Sequence, residues 1–407
     1  MADAGTGVPD QSVPGRAFSA PRDGFKSLDL IRAISAQIVV IGHTFSLIIR
    51  PGPIQGGLLT WVGWRVLSLP SGHGTDAVSV FFVLSGLLVG SPLPQMIRRG
   101  DFNYGDYTIR RLSRMYAVLL PALALSALLV STAFAVGSGA DVITVNTPFY
   151  PPDWSVSRSM SAPTAVCNAL FLQTVVCPQF MHNSALWSLS NEMMYYLAFP
   201  AILLIAFRRG SLRVRILATA ILLGLGGIWF YAESIEATRG VQFAVGLLMW
   251  IGGAGIPEFR ARLTSRGLAV MSIVCALAGL AMYMTHREAI RMPAVALLTI
   301  ALLVHVQELE ATVHRWTRIS TVGHWASNCS FSLYAIHIPL LFTAVSFSPF
   351  LLGKIPRTTV NLGWTLAILV GVNLVAFAFY AVFERRYRAL YVLMRSQLAR
   401  LFHVQAS

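Results

Sequence analysis

The chain alternates long apolar runs with short polar joints. Leu28 to Ile49 reads LDLIRAISAQIVVIGHTFSLII, and comparable runs fill 76–92, 111–136, 186–207, 214–232, 240–253, 266–284, 291–307, 325–347 and 362–383. Most approach the roughly 20 residues that a helix needs to cross a hydrocarbon core of about 30 Å, and 240–253 is the shortest. A chain in lipid must satisfy its backbone hydrogen bonds internally, so each run is read as a helix. The pattern predicts an all-α fold, a polytopic transmembrane helical bundle of about ten spans.

Composition agrees with that reading. Of 407 residues, 55% are hydrophobic and only 12% charged, where a soluble domain carries about 25% charged residues. The formal net charge of +14 would suit a nucleic-acid binder. Most of the Lys and Arg, however, fall in the first 27 residues, in the joints at 93–111, 208–215, 254–266 and 308–324, and after the last run. Those are alternate loops, so the excess is a positive-inside bias that places both termini in the cytoplasm, among membrane lipids, and calls for no nucleic acid. Residues 1–27, rich in Gly, Pro, Ser and charge and without the apolar core of a signal peptide, are read as a disordered cytoplasmic tail. Residues 28–390 form the membrane domain, and 391–407 a cytoplasmic C-terminal tail.

The first run carries Asp29, Arg32 and His43, groups that are expensive in hydrocarbon. Eleven helical steps from Arg32 to His43 come to about three turns and about 16 Å, so the two share a face, with Asp29 one turn before Arg32. A salt-bridged Asp29/Arg32 pair beside a core histidine is the plain reading; a stripe lining a path into the bundle is the functional one. LWSLSNEMMYY spaces Ser188, Glu192, Tyr195 and Tyr196 by helical turns, and Glu192 is the one carboxylate well inside an expected span. Buried, it must be paired or protonated: a structural bridge to an arginine is the plain reading, and His43 in the same half of the membrane is the functional partner if it lies within hydrogen-bond reach. FSLYAIHIP places His337 two residues before Pro339, which frees a backbone carbonyl; His337 is either a pocket residue or a core histidine bonded to that carbonyl. YTIRRLSRMY gathers Arg110, Arg111 and Arg114 where the third run begins. These suit either topology and lipid headgroups or a polyphosphate ligand.

Cys167 and Cys177 lie in the long outer joint 137–185, where a disulfide and two free thiols are both possible, while Cys275 and Cys329 lie in runs. No zinc, nucleotide or hydrolase-elbow signature occurs, and no metal is expected.

These pieces, in this order, resemble the acyltransferase-3 family of integral membrane O-acyltransferases, whose members modify glycans, exopolysaccharides and lipochitooligosaccharides. The matching residues are LDLIRAISAQIVVIGH with its Arg32-to-His43 spacing, FFVLSG at 81–86, RRLSRMY at 110–116, WSLSNE at 187–192, SLYAIHIP at 332–339 and ERR at 384–386. Ser79 stands where relatives often have an acidic residue ahead of the Phe pair, with Asp76 a turn earlier, and Arg386 replaces a usual proline. The resemblance implies a multi-pass protein of a bacterial cytoplasmic membrane. It would move an acyl group, usually acetyl, from cytosolic acyl-CoA to a hydroxyl of a glycan or lipid-linked saccharide at the outer face. Catalysis would rest on His43, Glu192 and Arg32, coenzyme binding on Arg110, Arg111 and Arg114, and a substrate pocket on Asp29, His337, Ser188 and Tyr195. A proton-coupled secondary transporter is the competing reading of the same polar stripe.

Overall fold

The computed structural model describes residues 26–145, 156–235, 239–305 and 317–403; most of the expected N-terminal tail lies outside them. The chain opens with α1 (Lys26–Ile48), strand β1 (Ile49–Ile54), α2 (Leu58–Ser68), α3 (Gly74–Ser85), a π-helical turn at Gly86–Gly90, and α4 (Leu93–Arg99). It continues through α5 (Tyr104–Val136), α6 (Gly139–Val145), α7 (Val156–Ser159), α8 (Ala162–Ala169), α9 (Trp187–Ala206), α10 (Leu212–Ile235), α11 (Arg239–Arg262), α12 (Ser265–Tyr283) and α13 (Glu288–Leu303). After α14 (Thr317–Asn328) come α15 (Ser330–Ser346), α16 (Pro349–Leu352), β2 (Ile355–Arg357), α17 (Thr359–Val382) and α18 (Tyr387–His403).

The fold is an all-α membrane bundle. Among the described residues seven helices are long and apolar enough to cross a membrane, and two shorter apolar helices lie at Ile290–Leu303 and Ser330–Ser346. The run expected at 240–253 belongs to a 24-residue helix, α11. The run expected at 325–347 breaks into α14 and α15 at Cys329, whose backbone leaves the helical region (φ −93, ψ 1), and the Ser330 hydroxyl donates to the Ser327 carbonyl at 2.7 Å. The helix α18, Tyr387–His403, runs from the end of the expected membrane domain into the segment 391–407 expected as a C-terminal tail. A short parallel pairing of β1 with β2 ties the end of α1 to the start of α17.

Two contacts decide where the polar groups come to lie. At the crossing of α3 and α11 the backbones touch: a Cβ on Gly86 would stand 1.8 Å from the Trp250 carbonyl oxygen, and one on Gly253 would stand 2.0 Å from that of Val83. Only glycine permits such an approach, which accounts for the small residues of FFVLSG as packing. The second contact is the segment between α8 and α9. A disulfide joins Cys167 to Cys177, and Asn168, fully buried, donates to the Thr164 and Pro178 carbonyls and accepts from the Phe180 amide. Phe171, Phe180, Met181, His182, Asn183 and Leu186 are buried in consequence, so this joint is packed into the bundle.

Candidate active site

The polar stripe of α1 ends at a histidine pair. Pro339 lacks the N–H that would serve the Ala335 carbonyl four residues back, and Asn183 donates to that carbonyl instead at 2.8 Å. His337, two residues on and buried, directs Nδ1 to the Leu333 and Tyr334 carbonyls at 3.1 and 2.9 Å. Its Nε2 meets Nδ1 of His43 at 3.0 Å, with the ring centroids 5.0 Å apart. Carbonyls only accept, so in neutral rings the His337 proton sits on Nδ1 and its Nε2 is an acceptor. His43 must then donate from Nδ1, the nitrogen that also faces the Val39 carbonyl one turn back on α1, which puts its lone pair on Nε2. Beside the pair, Ser188 Oγ meets the Tyr334 hydroxyl at 2.8 Å, and the Tyr334 ring lies 6.0 Å from that of His337.

Glu192 does not reach His43, contrary to the expected pairing. It accepts from Ser85 Oγ at 2.6 Å and from the Tyr196 hydroxyl, while Ser85 takes the Trp250 indole N–H at 3.1 Å. The physical reason is the buried joint. Because 171–186 packs into the bundle before α9 begins, Ser188 is already level with Tyr334, and Glu192 falls a turn further toward the arginine-rich end. There it is one of the charges acting on Arg32. Ser85 lies where α3 gives way to the π-helical turn, a distortion frequent at functional sites. Tyr195 lies apart from this group: its hydroxyl reaches the Phe243 carbonyl at 3.3 Å and its ring packs on Phe82 and Phe243. It is Tyr196, one residue and about 100° further round, that meets Glu192.

At the arginine-rich end the guanidinium groups divide. Arg32 donates to Ser330 Oγ at 3.5 Å and lies 3.9 Å from Asp29, which itself holds His324 Nδ1 at 2.6 Å and Ser327 Oγ at 3.0 Å. Asp29 thus stands at the mouth of the stripe. Arg111 lies over the rings of Tyr107 and Tyr196 at 5.5 and 5.9 Å, and its buried Nε has no hydrogen-bond partner among the described residues. Arg114 pairs with Glu384 at 3.5 Å and covers the Tyr387 ring. Arg110 turns away, to Asp106 at 2.7 Å and the Tyr391 ring. Two participants escape sequence reading. Glu384 opens the ERR motif after the last apolar run, but nothing in the sequence marks it as buried; it is 2% exposed and accepts from the Ser332 amide and hydroxyl. Trp250 sits in an apolar run with nothing to mark it, and only the Gly86 contact brings it to Ser85.

The membrane bundle thus carries a cluster of arginines at one end and a histidine pair further along α1. The acyltransferase 3 family model, described as an acyltransferase domain, matches residues 25–381, and the chain belongs to that family of membrane acyltransferases. No curated protein and no solved structure matches it. Among the described residues no group of three or more His, Cys, Asp or Glu is placed to hold a metal ion.

Proposed function

We propose that the protein transfers an acyl group, acetyl in the first instance, from cytosolic acyl-CoA to a hydroxyl of a glycan or lipid-linked saccharide on the far side of the membrane. The observation that carries the reading is the histidine pair, whose bonding pattern makes Nε2 of His43 a base. In the proposed step that nitrogen takes the proton of the acceptor hydroxyl while its oxygen attacks the thioester carbonyl. The tetrahedral intermediate then collapses, the C–S bond breaks, and the departing CoA thiolate recovers the proton from the imidazolium. His337 is a positioning residue: its Nε2 accepts from His43 Nδ1 and stabilises the charged ring.

The donor would enter at the arginine-rich end, taken as cytoplasmic. Arg111 supports this, since a buried guanidinium nitrogen without a partner is unfavourable until an acceptor such as a phosphate oxygen arrives. Arg114 and Arg32 stand beside it, and the pantetheine arm would run along the α1 stripe for the roughly 16 Å to His43. In this reading Glu192 and Glu384 set the orientation of the arginines rather than that of the base.

Membranes containing the protein, supplied with labelled acetyl-CoA and a saccharide extract, test the proposal. Label on a saccharide hydroxyl is the expected result. Proton-coupled uptake of a solute with no labelled product would favour the transporter reading instead.

A further inference from the structure

Apart from the Arg111 pocket, the end of α9 and the first half of α10 form a second feature at the arginine-rich end. They enclose a groove of about 520 Å³ lined by Ile205, Arg208, Arg215, Ile216, Thr219 and Leu223, among others. Ile205, Ile216 and Leu223 are exposed in the bundle, on helices that face hydrocarbon. The two arginines stand together at one end. The buried Nε of Arg215 has no hydrogen-bond partner among the described residues. The neighbouring carboxylate, Glu258, is held by Arg98, which lies over the Phe207 ring, and by Arg262.

A second observation is independent of the groove. Arg208 has φ +52, and the amides of Arg208 and Arg209 close the end of α9 on the Ile205 and Leu204 carbonyls. This is the left-handed position after a helix that glycine fills without strain. A non-glycine residue there carries a cost in backbone strain, and strained positions cluster at ligand clamps.

We propose that this groove binds one anionic phospholipid of the cytoplasmic leaflet, its phosphate held between Arg208 and Arg215 and one acyl chain lying along Ile205, Ile216 and Leu223. Guanidinium forks match phosphate oxygens. The apolar part favours a lipid over a soluble phosphate, because Ile216 and Leu223 extend it by about two helical turns beyond the arginines. Since α10 packs mainly on α9 and α11, a lipid seated there also fastens α10 to α9.

Native mass spectrometry of the full chain in neutral detergent tests the proposal, titrating dioleoyl phosphatidylglycerol, dioleoyl phosphatidylcholine and glycerol phosphate. The expected result is one retained phosphatidylglycerol, with glycerol phosphate failing to compete. Arg215→Gln should weaken its retention about fivefold or more. Arg208→Gly should do the same while leaving the lipid-free melting temperature unchanged or higher, because it removes the left-handed strain along with the charge. Equal retention by parent and both variants would overturn the proposal. Competition by glycerol phosphate at lipid-like concentration would overturn it too, since the site would then hold a soluble phosphate.

Discussion

Arg111 shows how a single residue can point to a ligand. It is held over two tyrosine rings with an unpaired, buried Nε, an arrangement that keeps the guanidinium in place but leaves its bonding incomplete. Arg111→Gln should raise the KM for acyl-CoA about tenfold, near the worth of one charge-assisted hydrogen bond, and leave the KM for the acceptor alone. An unchanged donor KM in a folded variant would assign the residue to packing. His182 makes a different prediction, because it lies in the joint outside the spans. It is buried against Ser159 Oγ at 2.7 Å, and burial, which disfavours the charged ring, pushes its pKa down to about 4. The unfolded ring titrates near 6.5, so the unfolded chain binds the extra proton between those values. The group's contribution is therefore complete above about pH 6.5 and is lost as pH falls toward about 4, with a ceiling of about 3 kcal/mol. Protection factors of the 171–186 amides, taken against the intrinsic exchange rate at each pH, should fall as pH drops through that window, and His182→Gln should flatten the dependence. Protection factors there that do not change with pH in the parent protein would show that the ring is not buried neutral.

At the scale of elements, the crossing of α3 and α11 positions the Ser85, Glu192, Tyr196 and Trp250 network. Gly253→Ala must push α11 away from the Val83 carbonyl, an overpacking change that typically costs about 1–3 kcal/mol. The variant should insert but melt at a lower temperature and turn over more slowly, as the Trp250 bond to Ser85 lengthens. A melting temperature equal to the parent's would mean that the two helices separate freely. The joint before α9 acts in the same way, since its burial sets the depth of every residue in WSLSNE. That is why a shared half of the membrane suggested His43 as a partner for Glu192, whereas the structure brings Ser188 to Tyr334 and Glu192, a turn further along α9, to Ser85 and Tyr196. Periodicity orders residues along one helix but carries no information on how deep the helix starts.

For the whole molecule, the apolar runs were legible because hydrocarbon forces the backbone into helices, and charge placement suggested which ends share a side. Less legible were features made by contacts distant in the chain. His43 and His337 are separated by 294 positions, so each could be singled out as a costly buried group without its partner being visible. The freed carbonyl at Pro339 was readable, but its acceptance of Asn183 rather than His337 was not, because Asn183 arrives from the folded joint. Glu384 was visible as part of the ERR motif, but its burial was not, because that depends on Ser332 and Arg114 of other helices.

The account turns on His43 as the base that activates the acceptor, and the most direct measurement is the steady-state rate of acyl transfer by His43→Ala at saturating acyl-CoA. A positioned general base is worth on the order of a hundredfold or more. The account predicts a loss of that size with coenzyme binding intact, and a smaller loss for His337→Gln, which removes only the positioning contact. Transfer by His43→Ala at close to the parent rate would contradict it.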